Sequence, residues 1–324
     1  MKKILIRGPD TIGSFILATP FYRELRNNLP NDYIALCVKP LVYDLAKNCP
    51  YVDKVILYEK NILRNLNNIK NEKFDEAYLL SGSFESALVS FLAGIKERIG
   101  YPHDHRGIFL TKKIVDLNTQ HYIDYTLHIL ESVGFLIKNK EPEIYIKDYN
   151  SGIFAKYKNF FESNSKVVGI TYTSIANDAR KWPVEYVIDL SYKLIEKGYK
   201  VILLGKNQSH LGLKIENENF LDLINKTTIF DFIYLLRNLS TYISVATGGI
   251  HIAAVLGIKV IALYIPGDER WLPYGRNVYV IVKQVGCAPC NQHKMKYCRN
   301  NICLKTITPE EVLEIVLKTD LDLE

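Results

Sequence analysis

The chain has 324 residues, of which 48% are hydrophobic and 23% charged, and it carries a formal net charge of +6 at pH 7. This length suits two domains with a core each, and the composition excludes a disordered or low-complexity chain. No apolar run approaches the roughly 20 residues that cross a bilayer, and the scattered positive charges argue against a nucleic-acid-binding protein.

Apolar strands alternate with helical patterns through the first half of the chain. The opening KKILIR is typical of a buried parallel strand, and the loop GPDTIG leads from it into the amphipathic segment SFILATPFYRELRNN. This alternation predicts right-handed crossover units on a parallel sheet. Further strands are predicted at 33–38, 54–59, 74–81 and 98–101, with helices at 41–48, 84–94 and 121–136.

A second set of alternating units begins with the strand at 166–172, after a turn-rich stretch at 138–165. The later strands YKVILLG, TYISV and KVIALYI are separated by predicted helices. We therefore predict an α/β protein with two Rossmann-like, doubly wound domains that face each other across a cleft. The predicted domains are residues 1–155 and residues 156–324, and the second ends with a Cys-rich loop (287–303) and a final helix.

The stretch SVATGGIHIAAVLGIKVIALY, residues 244–264, combines a short apolar strand, the turn Thr247-Gly248-Gly249 and a helix that begins near His251. A Gly-rich turn that opens a helix directs free backbone N–H groups and the positive end of the helix dipole at one spot, which favours a phosphate site. The alternative is a strand-to-helix turn whose glycines only permit positive φ or close packing. These residues alone leave both interpretations open.

Four of the six cysteines lie close together, at Cys287, Cys290, Cys298 and Cys303. Two closely spaced pairs in a cytoplasmic chain favour a tetrahedral zinc or iron site over structural disulfides. Any such metal would be structural, because four Cys ligands leave no open coordination position. Free thiols, or disulfides formed on purification, are the alternatives.

The stretch at 244–264, taken with its flanks, resembles the nucleotide-sugar site of glycosyltransferase family 9, the bacterial lipopolysaccharide heptosyltransferases. The shared pattern is a strand, Thr-Gly-x-x-His, Ala-Ala-x-Leu-Gly, an apolar strand, Pro and Gly-Asp. IRGPDTIGSFILATPFYREL, FESALVSFLAGIKERIGY and CAPCNQHKMKYCRNNICLKTITPEEV are similar to the family's opening loop, acceptor-side segment and tail. Of the subgroups, heptosyltransferase II is the one that the chain most resembles.

The resemblance implies a fold of GT-B type, with the acceptor on the N-terminal domain and ADP-heptose, or another nucleotide sugar, on the C-terminal one. It also implies inverting transfer to a lipopolysaccharide core acceptor, without a catalytic cofactor or metal. Such a reaction needs a base for the acceptor hydroxyl, a cation for the leaving diphosphate and a cleft that excludes water. The apolar stretch after Lys3 is too short for a secretory signal, so we expect a cytoplasmic enzyme, peripheral at the inner face of the inner membrane.

The resemblance also implies roles for particular residues. Lys181 matches the family's diphosphate-binding lysine, and a solvated lysine beside Trp182 is the alternative. Thr247-Gly248-Gly249 and His251 match the turn that holds the diphosphate and ribose, while His251 also suits a satisfied histidine at a helix start.

Four further residues match donor-binding positions of the family in loops. Thr173 and Ser174 stand where the family has phosphate-contacting hydroxyls, after the first strand of the second domain. Lys226 and Thr227 stand where the family passes under the nucleotide base. Ordinary loop residues are the alternative for all four.

The sequence departs from the family pattern where carboxylates are expected. The family commonly has an Asp base after the glycine of the opening loop, and here Ser14 follows Gly13. A serine lacks the basicity for that role, so Asp10 of the same loop is the substitute, or else a turn-forming residue. Ala246 replaces the Asp that often precedes Thr-Gly, and Lys-Asn-Gln at 206–208 replaces a Glu.

Several functions remain open at this point. The first is an active heptosyltransferase with a rearranged base, and the second is a family member with another nucleotide sugar or acceptor. The third is a pseudoenzyme that binds a nucleotide sugar without the chemistry. An NAD-dependent oxidoreductase is disfavoured, because no Gly-x-Gly-x-x-Gly follows a strand with an acidic residue about 20 positions later.

Overall fold

The structure of the protein, a computed structural model, describes residues 1–117, 121–147, 149–162, 165–174, 178–206, 213 and 215–321. It divides the chain into two compact units, unit 1 (Met1–Lys147 and Arg270–Leu272) and unit 2 (Asp148–Glu269 and Pro273–Glu324). Across the described residues, no helix has the length and apolar character that a membrane span requires.

Unit 1 contains one parallel sheet and the helices that cross over it. Its strands are β1 (Lys3–Arg7), β2 (Tyr33–Val38), β3 (Lys54–Leu57), β4 (Glu76–Leu79), β5 (Glu97–Gly100) and β6 (Lys112–Lys113). Its helices are α1 (Ile12–Leu17), α2 (Thr19–Asn28), α3 (Pro40–Ala46), α4 (Ile62–Glu72), α5 (Phe84–Leu92) and α6 (Tyr122–Glu131), with a 3₁₀ turn at Arg106–Phe109. The strand order is β3-β2-β1-β4-β5-β6.

Unit 2 repeats this plan. Its strands are β7 (Val167–Thr171), β8 (Lys200–Leu203), β9 (Phe220–Asp222), β10 (Thr241–Val245), β11 (Lys259–Tyr264) and β12 (Val278–Val282). Its helices are α7 (Gly152–Lys156), α8 (Lys158–Phe161), α9 (Val184–Glu196), α10 (Ile229–Leu236), α11 (Gly248–Val255), α12 (Gln292–Tyr297), α13 (Ile302–Lys305) and α14 (Pro309–Leu321), with a 3₁₀ turn at Asp178–Arg180. The strand order is β12-β11-β10-β7-β8-β9.

The central strands are almost continuously apolar because helices cover both faces of each sheet. Every residue of β4, β7 and β10 is buried, as are all but the first residue of β1 and β2. Burial of each large aliphatic side chain contributes about 1.5–3 kcal/mol, so these strands supply much of the stability of each unit. The prediction of two doubly wound parallel sheets is confirmed.

One predicted helix differs from the structure. The pattern that begins at Ser14 predicts a single amphipathic helix, but the chain forms α1 and α2 with a break at Ala18. Pro20 has no N–H to donate to the preceding turn, and the Thr19 hydroxyl donates to the Ile16 carbonyl oxygen at 2.7 Å. The break ends α1 after six residues, directly behind the opening loop.

A buried tryptophan joins the start of α9 to the segment before α14. Trp182 is fully buried, and its indole Nε1–H donates to the Ile307 carbonyl oxygen at 3.0 Å. Leu190 and Leu194 of α9 share a core with Val312 and Val316 of α14. The final helix is therefore part of the core of unit 2, on the same side as the loop that contains Trp182.

Candidate active site

The strand order of each sheet reverses between two neighbouring strands, β1 and β4 in unit 1 and β7 and β10 in unit 2. Loops that leave such a pair diverge and open a crevice at the carboxyl ends of the strands, where doubly wound proteins bind ligands. In unit 2 the register pairs Ser244 of β10 with Thr171 of β7. The turn Thr247-Gly248-Gly249, which follows β10, therefore lies at the switch point of its sheet.

The first turn of α11 has no side-chain cap. Thr247 is the N-cap residue with extended backbone (φ −129°, ψ 170°), but its side chain accepts no hydrogen bond from the helix. Its hydroxyl instead lies 3.2 Å from the Ser244 hydroxyl oxygen. The cap thus leaves the first backbone N–H groups of α11 without a side-chain acceptor, at the positive end of the helix dipole, which is the arrangement of an anion site.

Close packing explains one of the two glycines. Neither Gly248 nor Gly249 has a positive φ. A Cβ atom on Gly249 would lie 2.5 Å from the Tyr242 hydroxyl oxygen and 2.9 Å from Cζ of Phe232. The Tyr242 hydroxyl donates to Oγ1 of Thr171 at 2.6 Å, so the side chain that requires this glycine also links β10 to β7. Close packing and a helix start without a side-chain cap therefore occur together in this turn.

A guanidinium lies beside this turn. Arg180 Nη1 donates to the carbonyl oxygen of Ala246, the residue before Thr247, at 3.2 Å. Its Nε atom is buried and has no hydrogen-bond acceptor among the described residues. Burial raises the pKa of Tyr264, the last residue of β11, to about 12, and the charge of Arg180 opposes that rise. Arg180 therefore brings a partly buried positive charge to the ends of β10 and β11.

The family resemblance indicates that Lys181, the neighbour of Arg180, is the cation that binds the diphosphate. The backbone of Lys181 contacts Asn301: the Lys181 carbonyl oxygen accepts a hydrogen bond from Asn301 Nδ2 at 2.5 Å. Arg and Lys stand next to each other before Trp182, and both side chains are long cations, so no local pattern distinguishes them. The contact of Arg180 with the Ala246 carbonyl does distinguish them, and it appears only in the folded chain.

The other predicted donor-site residues lie at different places in unit 2. Thr173 follows β7, next to β10, and its buried hydroxyl has no hydrogen-bond partner among the described residues. Ser174 follows it and is partly buried, and His251 is buried in the first half of α11. The structure thus brings Thr173, Ser174 and His251 to the strands that carry the Thr247 turn.

Lys226 and Thr227 lie in the loop between β9 and α10. The N–H of the preceding residue, Asn225, donates to the Gly205 carbonyl oxygen, after β8, at 2.9 Å. The Lys226 ammonium donates to the carbonyl oxygen of Asp222 in its own loop, at 2.6 Å, and Thr227 is buried. The roles of these two residues stay a prediction. Lys206 is exposed after β8, and Asn207 and Gln208 lie outside the described residues.

The opening loop of unit 1 contains a carboxylate with two cationic partners. One oxygen of Asp10 accepts from Arg7 Nη2 at 2.7 Å, and the other lies 2.8 Å from the ammonium of Lys39. Arg7 is buried and its guanidinium lies 4.2 Å from the centre of the Tyr58 ring. The Asp10 side chain is nevertheless 28% exposed. Because the loop follows β1 at the switch point of its sheet, an accessible carboxyl group lies where a ligand is expected.

Ser14, which occupies the position of the usual base, belongs to the cap of α1. It is buried, its hydroxyl donates to the Thr11 carbonyl oxygen at 3.2 Å, and it makes a further hydrogen bond with the Thr11 hydroxyl. Gly13, the second residue of α1, is buried as well. The contacts of Ser14 are those of a residue in the first turn of a helix. The carboxyl group that the opening loop offers is that of Asp10.

The predicted zinc or iron site is not supported by the structure. The four cysteines, Cys287, Cys290, Cys298 and Cys303, are free thiols. Among the described residues, no group of three or more His, Cys, Asp or Glu side chains converges closely enough to hold a metal ion. Burial raises the pKa of the Cys290 and Cys303 thiols.

Comparison with known proteins identifies relatives of the whole chain. Residues 62–299 match the profile of a family described as glycosyltransferase family 9 (heptosyltransferase). Lipopolysaccharide heptosyltransferase 2 of Escherichia coli K12 is 25% identical over 300 residues, which cover 84% of this chain and 85% of that protein. The structure of E. coli ADP-heptose lps heptosyltransferase II has a TM-score of 0.77 at 22% identity, over 99% of both chains. A family 9 glycosyl transferase from Veillonella parvula has a TM-score of 0.81 at 18% identity, over 99% of this chain and 98% of that one.

The two units, each with one parallel sheet wound on both sides by helices, define an α/β protein of the GT-B fold, which both solved structures share with this chain. Because the family profile covers residues 62–299, the chain belongs to glycosyltransferase family 9, and it is a glycosyltransferase. The family and the fold that the sequence predicts are both confirmed.

Proposed function

We propose that the protein transfers a heptose from ADP-heptose to a sugar of the lipopolysaccharide core, with inversion at the anomeric carbon and without a metal ion. The observation that carries the proposal is the convergence of the uncapped N-terminus of α11, the Arg180 guanidinium and the buried Thr173 hydroxyl at one switch point. The names of relatives support the sugar and the acceptor, since they are heptosyltransferases that act in lipopolysaccharide synthesis.

The donor half of the proposal concerns the leaving diphosphate. Negative charge develops on the diphosphate oxygen as its bond to the anomeric carbon breaks. Backbone N–H groups at a helix start and a guanidinium, both fixed before the reaction, stabilise such charge by several kcal/mol in a site from which water is excluded. Arg180 and the N-terminus of α11 would therefore supply the positive charge that a divalent cation supplies in metal-dependent transferases.

The acceptor half of the proposal concerns the proton. The acceptor hydroxyl oxygen attacks the anomeric carbon, the bond from that carbon to the diphosphate breaks, and the hydroxyl proton passes to Asp10. The products are the glycoside, ADP and a protonated Asp10. A single displacement of this kind inverts the anomeric configuration. Asp10 suits the role of base because it is a carboxylate that Arg7 and Lys39 hold in the opening loop and that still reaches solvent.

A transfer assay tests the proposed function. The purified protein is incubated with ADP-heptose and a heptose-deficient lipopolysaccharide core, and ADP release and product mass are measured. We expect ADP release that depends on the acceptor, is unchanged by EDTA, and gives a product of inverted anomeric configuration by NMR. Selective use of a UDP- or GDP-sugar would reassign the donor, and ADP binding without turnover would indicate a pseudoenzyme.

We further propose that unit 1 contacts the anionic membrane surface in which such an acceptor is anchored. The exposed side chains of Phe84 and Phe91 lie against the ring of Phe109, with ring centroids 5.2 and 5.5 Å from it, and the next exposed apolar residue is Ile108, its neighbour in the chain. Basic side chains border these residues, since Arg98 lies over the Phe91 ring and Lys112 and Lys113 form the exposed edge strand β6. Apolar side chains bordered by Lys and Arg are typical of proteins that bind anionic lipid surfaces.

Vesicle sedimentation tests this surface. Ile108, which is 76% exposed, is changed to Ser, and binding to phosphatidylglycerol vesicles is compared with binding to phosphatidylcholine vesicles. We expect about tenfold weaker binding to the anionic vesicles, because one large aliphatic side chain no longer enters the interface. Leu136→Ser is the matched control, since Leu136 is 72% exposed in the same unit, after α6. Equal loss in both variants, or equal binding to neutral vesicles, would count against the surface.

A further inference from the structure

The Cys-rich segment, residues 287–303, contacts two loops of unit 2 that follow central strands. The backbone N–H of Cys290 donates to the carbonyl oxygen of Pro266, in the loop after β11, at 2.6 Å. At the other end of the segment, the side chain of Asn301 contacts the loop before α9, which contains Arg180. The structure does not support the metal site that the cysteines predict. The segment instead contacts the loops of the candidate site through the Cys290 N–H and the Asn301 side chain.

Asn301 holds the backbone on both sides of Arg180. Its Nδ2 atom donates to the Lys181 carbonyl oxygen at 2.5 Å and lies 3.4 Å from the Ala179 carbonyl oxygen. These are the residues directly before and directly after Arg180. One amide group, from a position 121 residues further along the chain, therefore spans the peptide units that orient the Arg180 side chain.

Asn301 occupies the residue position directly before α13, where an Asn side chain usually accepts a hydrogen bond from the N–H groups of the first turn. It makes no such capping bond. Its Nδ2 group donates to the loop that contains Arg180.

Several contacts fix the loop around Arg180. Ala179 is buried in the core of unit 2, and Arg180 itself donates to the Ala246 carbonyl oxygen. Trp182 is fixed by its N–H, which donates to the Tyr172 carbonyl oxygen at 2.8 Å, and by its indole bond to Ile307. Asn301 adds the side-chain amide that contacts the carbonyl groups on both sides of Arg180.

We propose that Asn301 is a positioning residue for the diphosphate site, and that it acts through Arg180 by fixing the backbone from Ala179 to Lys181. A long side chain such as Arg loses rotamer freedom when it binds an anion, and a fixed backbone lowers that entropic cost. This inference rests on the proposed function, because it assumes that Arg180 binds the diphosphate of the donor.

A double-mutant cycle on ADP affinity tests the inference. The Kd for ADP is measured by calorimetry for the wild type, Asn301→Ala, Arg180→Ala and the double variant. We expect Kd to rise about 5–10-fold in Asn301→Ala and about 10–100-fold in Arg180→Ala, from the usual strengths of neutral and charge-assisted hydrogen bonds. We expect the double variant to stay within about twofold of Arg180→Ala, because Asn301 has nothing to position once the guanidinium is gone.

Two further variants separate positioning from folding. Asn300→Ala is the matched control, since Asn300 is the exposed neighbour whose side chain accepts only from Lys305 in the recorded contacts, and we expect its Kd to be unchanged. Asn301→Asp keeps the shape of the side chain but cannot donate to the two carbonyls, so it should weaken ADP binding at least as much as Asn301→Ala. Thermal unfolding is measured for each variant, to establish that the protein used for the Kd measurement is folded.

The outcomes distinguish this inference from the proposed function. Additive effects of Asn301→Ala and Arg180→Ala, or an unchanged Kd in Asn301→Asp, would overturn the positioning role while leaving ADP binding intact. A wild-type protein that does not bind ADP, or an Arg180→Ala variant that binds it as well as the wild type, would instead overturn the donor site on which the inference rests.

Discussion

Replacing Asp10 with Asn is expected to lower the rate of transfer by about 10²–10⁴-fold, which is the usual contribution of a general base. The amide keeps the size of the side chain but cannot accept the proton of the acceptor hydroxyl. The affinity for ADP should change little, because the donor residues proposed above belong to unit 2. Acceptor-dependent ADP release measures the first quantity and calorimetry measures the second.

The same substitution removes two ion pairs, so folding has to be measured alongside activity. Arg7 is buried and keeps its hydrogen bond to the Gly8 carbonyl oxygen, at 2.5 Å, and its contact with the Tyr58 ring. We therefore expect a loss of about 1–3 kcal/mol in the free energy of unfolding, measured with urea. Asp44→Asn is the control, because Asp44 forms an exposed ion pair with Lys47 and should alter neither quantity. Full transfer activity in folded Asp10→Asn would exclude Asp10 as the base.

Replacing Arg180 with Ala is expected to lower kcat/KM for transfer by about 10²–10³-fold. Removal of one fixed donor to a developing negative charge has this effect in other active sites. The partly buried guanidinium lies beside Ala246, and its Nε has no acceptor among the described residues, which supports the proposed contact with the leaving diphosphate. Steady-state kinetics with varied ADP-heptose would show the loss in kcat as well as in KM, because the charge on the diphosphate grows as its bond breaks.

Lys181→Ala provides the comparison for this prediction. The two cations are adjacent and carry the same charge, so a purely electrostatic effect of net charge would be the same for both. We expect less than a tenfold change for Lys181→Ala, against the much larger loss for Arg180→Ala. A greater loss at Lys181 would return the diphosphate role to the residue that the sequence resemblance indicates.

Much of the architecture was predictable because its signals are local. The run YIALCV and the Ile4-Leu5-Ile6 centre of KILIR are continuously apolar, which is typical of strands covered on both faces, and they became β2 and β1. The break between α1 and α2 was missed, although Pro20 was a visible signal for it. The contact of Arg180 with the Ala246 carbonyl had no comparable signal, because adjacent long cations look alike in a sequence.

Spacing alone could not decide the chemistry of the cysteines or of the opening loop. Four cysteines at short intervals are compatible with a metal site, but whether their sulfur atoms converge depends on the turns between them, and here they do not form a ligand set among the described residues. Similarly, Ser14 is read in sequence as a missing base, whereas its contacts make it part of a helix cap. No local sequence pattern predicts that Lys39, in the next crossover unit, forms an ion pair with Asp10.

The sequence by itself determined the two doubly wound units, the family and the Gly-rich turn at Thr247, because strand periodicity, turn chemistry and motif order are properties of neighbouring residues. Only the tertiary structure decided which cation contacts the residue before that turn, which side chain pairs with Asp10 and which loop the Cys-rich segment contacts. These contacts join loops that are far apart in the chain and meet only where the strand order of a sheet reverses or where a later segment packs against an earlier loop. The clearest example of such a contact is that of Asn301 with the backbone on both sides of Arg180, which lies 121 residues earlier in the chain.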